Sequence, residues 1–257
     1  MHAELTLNLA TLYGFLLVLS RVAGVIAFVP IPGLSATPVT ARIALALALT
    51  VTLAPLWPAL PVDGAVLGRM LGWIAAEAAF GLSIGVAVAF LLEGIQMAAQ
   101  IIGLQAGFSY ASTVDPSTQA DTTTLQLMSQ LLAGGLFFAC GFDRQVIHIL
   151  AKSLASIPSG SYALGGTAVE AVTRLGSEIF TTGLQLAIPV LALLLLLDIA
   201  FAVLGRLQTQ LQLLTLSFAL KMLAAVAFLG GVVSFYPAAF EKAGATTFGT
   251  LARLLNH

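Results

Sequence analysis

Six apolar stretches, at residues 5–29, 42–60, 67–92, 125–140, 179–204 and 211–236, limit what this 257-residue chain can become. A helix that crosses a hydrocarbon core of about 30 Å needs about 20 mostly apolar residues, and each stretch approaches or passes that length. Little is left over to build a polar shell. Charged residues make up 8% of the chain, against about 25% in an ordinary soluble domain. Backbone groups in lipid must be satisfied within their own segment, which excludes lone strands. Residues 43–49 alternate Ala and Leu, but these are strong helix formers and poor evidence for a strand. The sequence therefore predicts an all-α membrane protein with about six long apolar helices.

Proline and glycine separate the stretches. Pro30, Pro32, Gly33 and Pro38 divide the first two; Pro58, Pro61 and Gly64 divide the next two. The fourth stretch could run on to Leu150. The longest polar connection opens near Ser156 and turns helical over 169–177, ahead of the fifth stretch. The link at 205–210 is short, so the last two apolar helices should form an antiparallel hairpin. Pro189, inside the fifth stretch, should kink it or end a helical section. Residues 1–257 read as a single domain, and 5–29 as part of the mature protein, because no positively charged segment precedes it.

Residues 93–124 depart from a simple span. Gln96, Gln100 and Gln105 recur among small and apolar residues up to Phe108, and an almost wholly polar run follows to Thr124. Pro116 disfavours helix just before it. The pattern predicts a third helix longer than a membrane needs, followed by a flexible polar loop. From its residues alone this loop reads as a solvent-facing connector.

Arg21, Glu77, Asp198 and Lys221 lie within apolar stretches, where a bare charge costs at least about 2.5–3.5 kcal/mol. Two uses are open. They could relay protons or ions in a secondary transporter, with Glu77, Asp198 and Lys221 as the relay, or they could pair between helices. Single charges spread over four helices favour pairing, Arg21 with Glu77 and Asp198 with Lys221.

Catalytic motifs find little support. Gly81, Ser83 and Gly85 match the G-x-S-x-G pattern, but an elbow needs a strand-to-helix turn and this stretch is mid-helix. An intramembrane hydrolase using Ser83 would also need a base, and His148 is the only internal histidine. Gly81 with Gly85, and Gly103 with Gly107, read better as small faces for close helix packing. Asp115 and Asp121 read as solvated loop carboxylates rather than cation ligands. Three scattered histidines and the single Cys140 predict no metal site, and no phosphate loop is present. No cofactor and no enzymatic activity are expected. With ten Lys+Arg against eleven Asp+Glu, no basic field exists to hold nucleic acid.

The ordered residues resemble a known family. Arg21, Gly24, Pro30, Pro38, Arg42 and Pro55 are followed by Glu77, Gly81 and Gly85. The most specific stretch runs from Gly103 through Gly107, Phe108, Ser109 and Tyr110 to Ala111, then Asp115 and Pro116. Phe180, Gly183, Pro189, Gly205, Arg206, Gln210 and Lys221 extend it. In this order the chain resembles the FliR family, an export-gate subunit of flagellar type III secretion, over essentially its whole length. It departs from the family at Thr209, near Gln212 and at 217–219, where the family usually carries Pro, Asn and Gly-Phe-Pro.

The resemblance implies a FliP-like part followed by a FliQ-like C-terminal hairpin. It implies a pore-forming role in the bacterial inner membrane, at the flagellar basal body. The implied partners are FliP-like and FliQ-like subunits, an FlhB-like switch protein, membrane lipid and unfolded flagellar substrates. The homologous subunit of a virulence-type system is the alternative. It also recasts the polar loop as a pore plug around Gly107, Phe108, Ser109, Tyr110, Asp115 and Pro116, with the aromatic pair as an apolar constriction.

Overall fold

In a computed structural model the described residues are 9–29, 38–58, 64–108, 124–158, 166–207, 213–232 and 236–254, and among them only helices occur. They form α1 (Leu9–Phe28), α2 (Val39–Thr52), a 3-10 turn (Ala54–Leu56), α3 (Gly64–Ala106), α4 (Thr124–Ala139), α5 (Phe142–Ser156), α6 (Gly166–Leu207), α7 (Leu213–Val232) and α8 (Tyr236–Leu254). Six of these are apolar. Three contain stretches long enough to cross a membrane, Leu9–Phe28, Arg69–Ala106 and Thr173–Leu207. Val39–Thr52, Gln126–Ala139 and Leu216–Ala227 are shorter.

Local chemistry sets several boundaries. Pro38 starts α2, its carbonyl accepting the Ala41 N–H at 2.9 Å. Arg42 then donates from Nη1 to the Ala27 carbonyl at 2.9 Å, placing a cation on the open C-terminal end of α1. Pro55 lies in the 3-10 turn that follows α2. At the far end of α3, Gly107 has φ +87°. Its N–H bonds the Leu104 carbonyl at 3.2 Å, and the Phe108 N–H bonds the Gly103 carbonyl at 3.0 Å. That pair of bonds around a left-handed glycine is a Schellman cap.

The structure settles four points that the sequence left open or missed. The fourth stretch does not run on to Leu150, because Gly141, at φ +69°, breaks it into α4 and α5. The segment at 169–177 is not separate from the fifth stretch; α6 is one helix of 42 residues. Pro189 does not end it. Proline removes the N–H that would serve the Gln185 carbonyl, a loss that membrane helices tolerate. Finally, α8 was not anticipated. It is amphipathic rather than apolar, burying Tyr236, Phe240, Thr247, Phe248 and Leu251 at helical spacing.

The chain divides into two compact units, one from residues 1–90, 141–176 and 245–257, the other from 91–140 and 177–244. In the first, Leu17, Val18 and Val22 of α1 are buried with Phe80, Ile84 and Val88 of α3 and with Leu150 of α5. Phe142 and Phe248 add a tilted ring pair with centroids 5.1 Å apart. In the second, Ile95 and Ile102 of α3, Phe137 of α4, and Val190 and Leu194 of α6 are buried. At 43 residues, α3 is about 65 Å long, more than twice the hydrocarbon thickness.

Candidate functional site

In the first unit, glycines bring two helices into backbone contact. A Cβ at Gly24 would stand 2.6 Å from the Ala78 carbonyl oxygen, and one at Gly85 would stand 2.7 Å from that of Val25. A Cβ at Gly81 would collide outright with the Arg21 carbonyl. Larger residues here would hold α1 away from α3, and the side chains between them would no longer meet.

Arg21 and Glu77 face each other beside this crossing. Their side chains are 0% and 1% exposed, and Arg21 Nε forms a hydrogen-bonded ion pair with Glu77 Oε2. Arg21 Nη1 donates to Ser153 Oγ of α5 at 3.1 Å, and the guanidinium carbon sits 4.9 Å from the Phe80 ring centroid. The Ser153 hydroxyl in turn donates a hydrogen bond to the Leu150 carbonyl at 2.7 Å. Arg21 Nη2 is buried with no hydrogen-bond partner among the described residues. One guanidinium thus joins α1, α3 and α5.

The second unit holds the other pair. Lys221 Nζ of α7 meets Asp198 Oδ1 of α6, and Gln105 Nε2 of α3 donates to Asp198 Oδ2 at 3.0 Å. Here Asp198 is 34% exposed, so this pair is far less sealed. Two residues beyond Gln105, a Cβ at Gly107 would lie 2.7 Å from Cδ1 of Phe218 on α7. The end of α3 is therefore tied to α6 through a carboxylate and abuts α7 through an aromatic ring. Gly183 of α6 approaches Gly94 of α3, where a Cβ would be 3.1 Å from the Gly94 carbonyl oxygen.

The sequence-derived residues distribute as follows. Arg21 meets Glu77 and Asp198 meets Lys221, the partners assigned to each. Gly81 and Gly85 lie in the α1–α3 crossing. Gly103 is buried and supplies the carbonyl of the α3 cap. Gly107 and Phe108 complete that cap, whereas Ser109, Tyr110, Asp115 and Pro116 lie outside the described residues. Ser83 is buried mid-helix and donates to the Phe80 carbonyl at 2.7 Å, while His148 is on an exposed face of α5. Sequence reasoning missed Ser153, Gln105 and Phe218 as partners. Gln105 gave a signal, as a polar residue recurring with Gln96 and Gln100; Ser153 and Phe218 gave none.

A helical membrane protein, with glycine-mediated crossings and charges neutralised in pairs, is the class that this fold and these sites define. The chain belongs to the family described as Bacterial export proteins, family 1, which its residues 12–246 match. Flagellar biosynthetic protein FliR of Escherichia coli (strain K12) is 29% identical over 93% of this chain and 91% of its own length. FliR of Pectobacterium carotovorum subsp. carotovorum is 28% identical over 68% of this chain and 67% of its own. FliR of Buchnera aphidicola subsp. Acyrthosiphon pisum (strain APS) is 28% identical over 65% and 66%. The protein is thus a member of the FliR family, and its role is in flagellar type III export, as a structural and transport component.

Proposed function

We propose that the chain is the pore-forming FliR-type subunit of the flagellar export gate in the bacterial inner membrane, acting as one functional domain over 1–257. It assembles with FliP-like and FliQ-like subunits and an FlhB-like switch protein, and unfolded flagellar subunits pass through the shared pore. It performs no catalysis. The observation that carries this reading beyond family membership is the state of α6. Only 17% of its apolar window is buried within the chain, against 44% for α1 and 50% for α3. Phe180, Leu184, Ile188, Leu195, Ile199 and Val203 line an exposed apolar stripe at helical spacing. A stripe that long needs lipid or other subunits to cover it.

In this reading the segment from Gly107 to Pro116 plugs the closed pore. Its root is well suited to the task, because a Schellman cap and the Phe218 ring fix where α3 stops. Each ion pair holds helices together within its own unit, and neither relays protons. Each carboxylate already has a dedicated cation.

Purification in mild detergent with candidate FliP-like and FliQ-like subunits, followed by mass measurement, tests the assembly. A stoichiometric complex is expected. A monodisperse monomer that ignores both subunits would refute the gate. Deleting residues 109–121 should make the assembled gate leak small ions, and unchanged conductance would remove the plug.

A further inference from the structure

Helix α5 differs from the apolar helices around it. One face buries Phe142, Val146, Ile149, Leu150 and Ser153. The opposite face exposes Arg144, His148 and Lys152, recurring every four residues. This basic stripe covers about 12 Å of helix. Among the described residues, none of the three has an ion-pair or hydrogen-bond partner. Asp143 is the only acidic residue of α5 and is half-buried beside the stripe.

Neighbouring groups say at what depth this stripe stands. Within the same unit α5 packs against the 3-10 turn Ala54–Leu56, and Trp57 follows that turn. The chain's other tryptophan, Trp73, lies in that unit near the start of the apolar window of α3, with the Arg69 guanidinium carbon 5.8 Å from its ring centroid. Tryptophan and arginine at the end of an apolar span mark the membrane–water interface. A short helix there, apolar toward protein and basic outward, presents its cations to the headgroup layer.

We propose that Arg144, His148 and Lys152 form a binding surface for the headgroups of anionic phospholipids, anchoring the first unit at the bilayer interface. Charge complementarity selects the ligand. Two aligned cations, Arg144 and Lys152, with the His148 imidazole between them and no ion-pair partner among the described residues, fit phosphate oxygens, and Ile147, 44% exposed beside them, suits the acyl boundary.

The test uses the full chain in phosphatidylcholine vesicles with phosphatidylglycerol as the sole anionic lipid. Fluorescence of Trp57 and Trp73 is quenched by brominated-chain phosphatidylglycerol or by brominated-chain phosphatidylcholine at equal mole fraction. The intact protein should favour the anionic quencher. R144Q/K152Q should weaken that preference about tenfold, and R144K/K152R should keep it. Raising salt should weaken it in the unsubstituted protein, a readout that survives if R144Q/K152Q does not fold. Equal preference in the unsubstituted protein and a folded R144Q/K152Q, or indifference to salt, would overturn the proposal. So would unchanged lipid preference in R144Q/K152Q with loss of co-purifying export subunits, which would assign the stripe to a protein partner.

Discussion

Arg21 of α1 and Glu77 of α3, 56 residues apart in sequence, form an ion pair closed off from solvent on all sides. Removing one partner would strand the other charge, which costs about 3–5 kcal/mol in a buried setting. Glu77→Ala and Arg21→Ala should therefore each lower the unfolding temperature in detergent sharply. The double change R21M/E77L should recover much of the loss, because two apolar side chains need no partner. Calorimetry or thermal aggregation of the purified chain reads this directly. If R21M/E77L were no more stable than either alanine variant, the pair would be supplying something other than charge neutralisation.

The glycine crossing makes a second, sharper contrast within one helix. Gly81→Ala should destabilise by about 1–3 kcal/mol, since its methyl group collides with the Arg21 carbonyl and backbone cannot move aside cheaply. Gly72→Ala, also in α3, meets nothing within 4 Å and should be neutral or stabilising by up to about 1 kcal/mol. The same substitution at two sites nine residues apart on one helix, about two and a half turns, separates packing from propensity. Thermal stability of the two variants measured side by side is the check.

Breaking the Asp198–Lys221 pair should matter less to stability. Asp198 is 34% exposed and also accepts from Gln105 Nε2, so its carboxylate depends less on Lys221 than the sealed Glu77 depends on Arg21. Asp198→Asn should cost at most about 1 kcal/mol. A loss as large as that of Glu77→Ala would mean that Asp198 is sealed when the protein sits among its neighbours.

Cys140, between α4 and α5, titrates above its ordinary value, first because burial disfavours the thiolate and second because the Glu241 carboxylate repels it. Thiolate is the reacting form, so alkylation near pH 8 should be slower than for a free thiol. Glu241→Gln removes only the second cause and should give a modest acceleration. A rate equal to that of free thiol would place Cys140 in ordinary solvent.

Helical class and the segments of apolar chain were legible because they rest on composition. A chain with 8% charged residues has no shell to offer water, and lipid leaves the backbone no choice but helix. The need to pair four charges at membrane depth was legible for the same reason, and with so few candidates the partners followed. Helix ends were harder to place. The end of α3 was signalled by Gly107 and the polar run behind it, whereas the end of the fourth stretch, placed at 140, was left open to a continuation as far as Leu150 until Gly141 fixed the break. Amphipathic α8 escaped because a search for long apolar runs does not see a helix that hides only one face.

The sequence by itself determined the environment, the secondary structure and the family, since each depends on residue types and their order along the chain. Only the tertiary structure decided which polar groups complete each charge pair. Ser153 lies 132 residues from Arg21, and Gln105 lies 93 from Asp198. Gln105 shares its recurrence with Gln96 and Gln100, and nothing local singles it out from them or Ser153 from other serines. Their roles come from helix crossings close enough for side chains to meet, and in the Arg21 site that closeness rests on glycines whose missing Cβ atoms leave room for a neighbouring backbone.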